Sequence, residues 1–288
     1  MTHGELIRKL RKERGMTQTQ LSSGISSRAT LSAFENNSTH VASDILFAYI
    51  ERLNVTAQEY TFYLNNNVTP EKEILSQYFF NEVIKKRDVE ILARINDFHK
   101  HYENSHDFYF CCLSIELKLF LNKKHDQAVF DVAEDMDIIK AHLNRVQQWG
   151  HFEISIFSNC LYIFSDEYIR GSFTTLLRRT KLVSSIPTYQ NDISIFLNNC
   201  IVLELERGRF SDAAYYIKQL RRIASKSPRK IYDCLMCNFY QVLLNRELGI
   251  VSDVDSTIQP FDKLGFTEHA NELRKFADDV KNYKYTLV

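Results

Sequence analysis

The stretch from Thr17 to Asn37, TQTQLSSGISSRATLSAFENN, decides how this chain is read. It reads as a helix, a tight turn and a second short helix. Thr17 is placed to cap the first helix, and Gln20, three residues on, reaches back to complete a capping box. Leu21 and Ile25 are the apolar anchors of that segment. Gly24 supplies backbone freedom where the chain reverses, with Ile25 and Ser26 completing the turn. Ser26 or Ser27 caps the next helix. There Leu31 and Phe34, three apart, share one buried face. Arg28, Ala29, Ser32 and Ala33 then point outward. One forked donor, one hydroxyl and two methyl groups suit the edges of base pairs in a major groove. The pattern predicts a helix-turn-helix.

Working outward, a first helix is expected over residues 4–14, with Leu6, Ile7 and Leu10 facing inward. Basic charge gathers beside the motif: Arg8, Lys9, Arg11, Lys12, Arg14 and Arg28 stand against only Glu5 and Glu13. The net charge of the whole chain is zero, so this is a local footprint for phosphates rather than a basic coat. A further helix over residues 42–53 should bury Ile45, Leu46, Tyr49, Ile50 and Leu53. Thr56 and Glu59 form a second capping box, opening a last short helix with Tyr60, Phe62 and Tyr63.

On these residues, positions 4–64 resemble the helix-turn-helix domain of the lambda/434-repressor superfamily, the XRE-type fold. Within it Ser27-Arg28, Leu31-Ser32 and Phe34-Glu35-Asn36 resemble the Rgg/GadR/MutR family of peptide-responsive regulators of Gram-positive bacteria. Asn37 replaces a common Gly after that triplet, and Asn also tolerates the left-handed conformation that ends a helix. Ser22 stands where an Ala is usual. The resemblance implies an Arg11–Glu35 pair holding the first helix to the recognition helix, and a Gln18 that donates to a phosphate. The candidate DNA-contacting set is Arg8, Lys9, Lys12, Thr17, Gln18, Ser26, Ser27, Arg28, Ala29, Ser32 and Asn37.

Residues 65–70 are polar and end on Pro70, a good first residue for a new helix after the cap Thr69. The expected organisation is a DNA-binding domain over 1–64, this linker, and a helical-repeat domain over 71–288. Helical apolar periodicity recurs beyond the linker, in Ile74, Tyr78 and Phe79, in Ile91, Ile95 and Phe98, and in Phe110, Leu113, Leu117 and Phe120. Polar breaks between the segments are short, which implies antiparallel helix pairs.

A repeat is also present. Ile154-Ser155-Ile156-Phe157-Ser158-Asn159 recurs as Ile193-Ser194-Ile195-Phe196-Leu197-Asn198, a shift of 39 residues, and Asn238 stands 39 beyond Asn199. Breaks are expected at Arg170-Gly171, Arg207-Gly208 and Leu248-Gly249, each followed by a second helix. A helix-pair unit of this length is the mark of a TPR- or HEAT-like α-solenoid. The fold class expected is all-α: a five-helix XRE-type domain, then a right-handed solenoid of about five helix pairs.

Asn159, Asn198, Asn199 and Asn238 fall at corresponding places on the first helices of successive repeats. An amide can both donate to and accept from a peptide backbone, so the row could hold an extended peptide in a concave groove. The alternative is that these amides bond to adjacent helix ends. Arg145 and the single Trp149 precede the first of these helices and could add a charge and an aromatic wall to the same groove, although a lone Trp also suits a core.

Other chemistry finds little support. Cys111, Cys112, Cys160, Cys200, Cys234 and Cys237 all lie in apolar helical patterns, and the Cys234/Cys237 pair has no second pair or histidines to complete a zinc set. His99 and His101 lack carboxylate geometry, and no phosphate loop or nucleophile motif occurs. No metal, cofactor or catalysis is expected. With no signal-peptide core and no apolar run near the roughly 20 residues of a membrane span, the expected location is the cytoplasm. The composite expectation is a dimeric regulator that binds operator DNA and answers to a short apolar peptide. The alternatives are a repeat-domain protein that docks a protein partner, and a DNA-binding regulator with no small ligand.

Overall fold

The computed structural model describes residues 1–69, 71–72, 74–75, 86–125, 127–183 and 187–283. Pro70, Tyr78 and Phe79 of the sequence reading lie outside the described residues. No strand occurs among those described. The chain forms two compact units, Met1–Arg87 and Asp88–Val288.

The first unit has five helices: α1 (His3–Glu13), α2 (Gln18–Ser22), α3 (Arg28–Glu35), α4 (Ser43–Arg52) and α5 (Ala57–Leu64). Full capping boxes open α1, α2 and α5, through Thr2 and Glu5, Thr17 and Gln20, and Thr56 and Glu59. The box at Thr2 lies two residues upstream of where the sequence reading began the helix. One apolar face from each helix closes a core of Leu6, Ile7, Leu21, Leu31, Tyr49 and Leu53, all fully buried. Ile45 and Leu46, expected inside with Tyr49 and Ile50, share their face of α4 one turn earlier but are only half-buried at the margin of the core.

Asn37 ends α3 as the family resemblance implied, with φ at 56°. Ser38 N donates to Ala33 O at 2.8 Å and Asn37 N to Phe34 O at 3.0 Å, the paired bonds of a Schellman end.

In the second unit ten helices follow one another among the described residues: α6 (Asp88–Ser105), α7 (Phe108–His125), α8 (Ala133–Arg145), α9 (His151–Asn159), α10 (Asp166–Val183), α11 (Pro187–Glu206), α12 (Phe210–Ala224), α13 (Ile231–Glu247), α14 (Val254–Lys263) and α15 (Thr267–Tyr283). Neighbours pack in sequence, α6 on α7, α11 on α12 and α14 on α15, while α9 reaches across to α11. The repeat explains that crossing. Phe157 and Phe196, 39 residues apart, are both fully buried and stack at 5.4 Å between ring centres.

One expected break is corrected. Gly208 and Gly249 take left-handed φ values of 67° and 79° and end α11 and α13, as anticipated. Arg170-Gly171 instead lies inside α10. The chain breaks earlier, where a single 3-10 turn over Leu161–Ile163 leads to extended backbone at Phe164.

Candidate nucleic-acid interface and repeat-domain site

In the first unit α3 is held to α1 at its C-terminal end. Arg11 Nε and Nη2 donate to the two Glu35 oxygens at 2.6 and 2.7 Å, and Arg11 Nη1 donates to Met16 O at 2.7 Å. Gln18 Nε2 adds a third bond to Glu35, at 3.0 Å. Burial by itself would raise the Glu35 carboxyl, but hydrogen bonds from Arg11 and Gln18 outweigh it and hold the group below its ordinary range. Just past the same end Thr2 Oγ1 donates to Asn37 Oδ1 at 2.6 Å, and Asn37 Nδ2 to Glu5 Oε1 at 3.4 Å. Gly4 lets α1 approach: a Cβ there would lie 2.0 Å from Phe34 O. The turn is closed by Arg52, whose Nη1 donates to Leu21 O at 3.1 Å and also to Ser23 O.

So supported, α3 presents Arg28 and Ala29 exposed on its first turn, with Ser32 and Ala33 half-buried one turn later. Arg28 and Ser32 are four apart, as are Ala29 and Ala33, so the four form one strip. Beside it Arg8 is exposed and donates to Asn36 Oδ1 at 3.2 Å, Lys9 faces Glu13 at 4.0 Å, and Lys12 is exposed. Like Arg8, Lys9, Gln18 and Asn37, three further expected contact residues have partners within the fold. Thr17 and Ser27 accept from Gln20 N and Thr30 N as caps, and the Ser26 hydroxyl meets the Tyr49 hydroxyl at 2.6 Å. Gly4 and Arg52 were missed by sequence reasoning. Gly4 signalled itself only as a glycine early in a helix; Arg52 carried no signal.

In the second unit the four asparagines meet different partners. Asn159 Nδ2 donates to Glu116 Oε2 at 3.3 Å, and Asn199 Nδ2 to Ser158 O on the neighbouring repeat at 3.1 Å. Asn238 is exposed and accepts from Arg221 Nη1 at 3.1 Å. Asn198 Nδ2 donates to Ser194 O at 2.8 Å, while its Oδ1 is buried without a partner among the described residues. Arg145 is exposed as the last residue of α8. Trp149 is not brought to the asparagine side. Its ring meets Phe157 at 5.0 Å, and Phe157 lies two residues, hence about 200°, around α9 from Asn159.

Two titrating groups tie these repeats together. Glu116, buried in α7 with Asn159 as its hydrogen-bond partner, is pushed up to about 8 by burial. His151 Nδ1 lies 2.9 Å from both oxygens of buried Asp192, and this bond raises the imidazole above its ordinary value. The cysteines are all free; Cys112, Cys160, Cys200 and Cys237 are buried and Cys111 and Cys234 half-buried, and burial pushes Cys237 up to about 12. Among the described residues no group of three or more potential metal ligands comes together, and no helix is long and apolar enough to cross a membrane.

Residues 92–275 match the family described as the C-terminal domain of the HTH-type transcriptional regulator Rgg. The chain belongs to the Rgg family. Residues 7–60 of this Rgg protein match the helix-turn-helix family as well. Its fold is that of solved relatives along nearly their whole length. A Listeria monocytogenes EGD-e protein is 19% identical with a TM-score of 0.79, covering 96% of this chain and 97% of that one. The SHP pheromone receptor Rgg2 of Streptococcus dysgalactiae is 18% identical with a TM-score of 0.73, covering 96% and 99%. PrgX in its complex with cCF10 is 17% identical with a TM-score of 0.65, covering 98% and 92%. The protein is thus an Rgg-type helix-turn-helix transcriptional regulator, with the all-helical architecture expected from its sequence.

Proposed function

We propose that this Rgg regulator binds operator DNA as a cytoplasmic homodimer and is controlled by a short, mostly apolar peptide held in extended form by its second unit. On DNA, Arg28 reads a guanine through a bidentate fork, Ala29 admits a thymine methyl, and Ser32 contacts a neighbouring base or phosphate. Arg8, Lys9, Lys12 and Gln18 clamp phosphates, with Thr17, Ser26, Ser27 and Asn37 at the rim of the contact. Gln18 has one amide hydrogen on Glu35 and a second available. One short recognition helix reads few base pairs, so selectivity calls for a second copy on a second half-site.

The observation that carries the peptide reading is Asn198. Its buried Oδ1 has no partner among the described residues, and a buried acceptor in that state asks for a donor such as a peptide N–H. Likeness of fold to a pheromone receptor and to a complex of PrgX with cCF10 supports the same reading. A regulator without a small ligand draws support from Asn159, Asn199 and Asn238, whose side chains already bond within the scaffold.

The test is mass spectrometry of peptides retained by the protein purified from host-cell extract, followed by titration of the synthetic peptide. Stoichiometric retention of one short apolar peptide is expected. Empty protein that ignores every peptide in the extract would leave the ligand-free regulator. Sedimentation at micromolar concentration should give a dimer; a monomer bound one to one on DNA would end the dimer reading.

A further inference from the structure

A cavity of about 550 Å³ lies between the end of α8 and the exposed side of α10. The rings of Trp149, Tyr168 and Tyr189 line it, with Leu143 and Leu176 between them. Its size falls within the range of small-ligand pockets. The polar atoms of two rings are anchored in the wall: Trp149 Nε1 donates to Leu143 O at 3.0 Å, and the Tyr168 hydroxyl donates to Asn144 Oδ1 at 2.9 Å. The rest of the polar lining is amide and hydroxyl, and no cation borders it among the described residues. Its one carboxylate, Glu167, is exposed and is engaged by its own backbone N–H and by Ser165 at the start of α10, with Arg209 and Arg170 nearby. Apart from that carboxylate at its edge, the wall is neutral and aromatic.

Gly171 is an independent observation at the same place. It lines the cavity from inside α10, where a glycine weakens a helix. The backbone does not require it, since its φ is not left-handed, unlike those of Gly208 and Gly249. Packing does not require it either: unlike Gly4, a Cβ built on Gly171 meets nothing within 4 Å. A side chain at this position would project into the open space that the cavity borders.

We propose that this cavity is a binding site for a neutral ring-bearing group of phenol or indole type, which enters past Gly171 and packs against Trp149, Tyr168 and Tyr189. The site stands apart from the asparagine series, because Trp149 and Asn159 lie on opposite sides of α9. Such a group can be a free small molecule or a side chain of a peptide, and the two sources are separable.

Trp149 is the only tryptophan of the chain, so its indole N–H gives one resonance in a proton–nitrogen correlation spectrum. The full-length protein is titrated with p-cresol and, separately, with a capped glycyl-tyrosyl-glycine amide. A saturable shift with p-cresol alone assigns a free small molecule; a saturable shift with the capped peptide assigns a peptide side chain. In Gly171→Leu either response should weaken by roughly ten-fold or more, and in Gly171→Ala by less. The thermal midpoints of both variants should equal or exceed that of the parent, because each replaces a glycine within a helix. No saturable shift with either probe, or a shift that Gly171→Leu leaves unchanged, overturns the site.

Discussion

Arg11 and Glu35, 24 positions apart, form a two-pronged ion pair with bonds of 2.6 and 2.7 Å, and the Glu35 side chain is only 1% exposed. The pair fixes the recognition helix to α1. Removing one partner strands a buried charge, which typically costs about 3–5 kcal/mol. Arg11→Ala should therefore lower stability by that amount in urea unfolding, whereas Arg11→Met combined with Glu35→Leu should cost far less. Equal losses in the two variants would show that volume, not charge, is what matters. Because the Glu35 carboxyl is held low in the folded protein, the stability it contributes is present above its unfolded value and lost as pH falls through its folded one.

Arg28→Ala should weaken operator binding by about 1–3 kcal/mol and relax the preference at one base pair in each half-site. Binding to a panel of single-base operator variants reads this directly. A binding profile identical to the parent's would take Arg28 off the reading face.

Lys12→Ala should weaken all DNA sequences alike and lower the slope of log affinity against log salt by about one unit. Titrations at several salt concentrations, on operator and on random duplex, supply the measurement. A loss confined to the operator would mean that Lys12 contacts a base.

Asn198→Ala combined with Asn238→Ala should abolish the response to peptide while leaving basal operator binding intact. The peptide can act only by binding one state of the protein more tightly than another, since equal affinity shifts nothing. An unpaired backbone group costs about 1–3 kcal/mol to desolvate, which is what the amides would offset. Operator titrations with and without peptide decide it: a double variant that still responds at parental concentrations makes these asparagines structural.

The second unit should lose stability as pH rises. Glu116 is raised by burial to about 8, so its stabilising share is full below its unfolded value near 4.3 and is lost as pH climbs through about 8. His151 acts in the same direction, its raised value keeping the bond to Asp192 strongest at low pH and releasing it as pH rises. Thermal midpoints between pH 5 and pH 9 should fall in the parent and fall less in Glu116→Gln. Parallel curves would place Glu116 among ordinary solvated carboxylates.

The sequence by itself determined the helix-turn-helix, its caps and the strip that its second helix turns outward. Those features are local: a capping box spans three residues, and the Leu31/Phe34 spacing sets which way Arg28 points. The 39-residue recurrence was also legible, because stacked repeats must present the same buried ring, and Phe157 does meet Phe196. The tertiary structure alone decided the rest. Whether Gly171 breaks a helix or sits within one depends on where α9 stops, and that is set by packing at Phe164 rather than by the glycine. Which side of α9 Trp149 covers, and that Glu116 lies buried against Asn159, depend on residues brought together from different helices. A one-dimensional pattern says that a face is apolar; it does not say which neighbour will cover it.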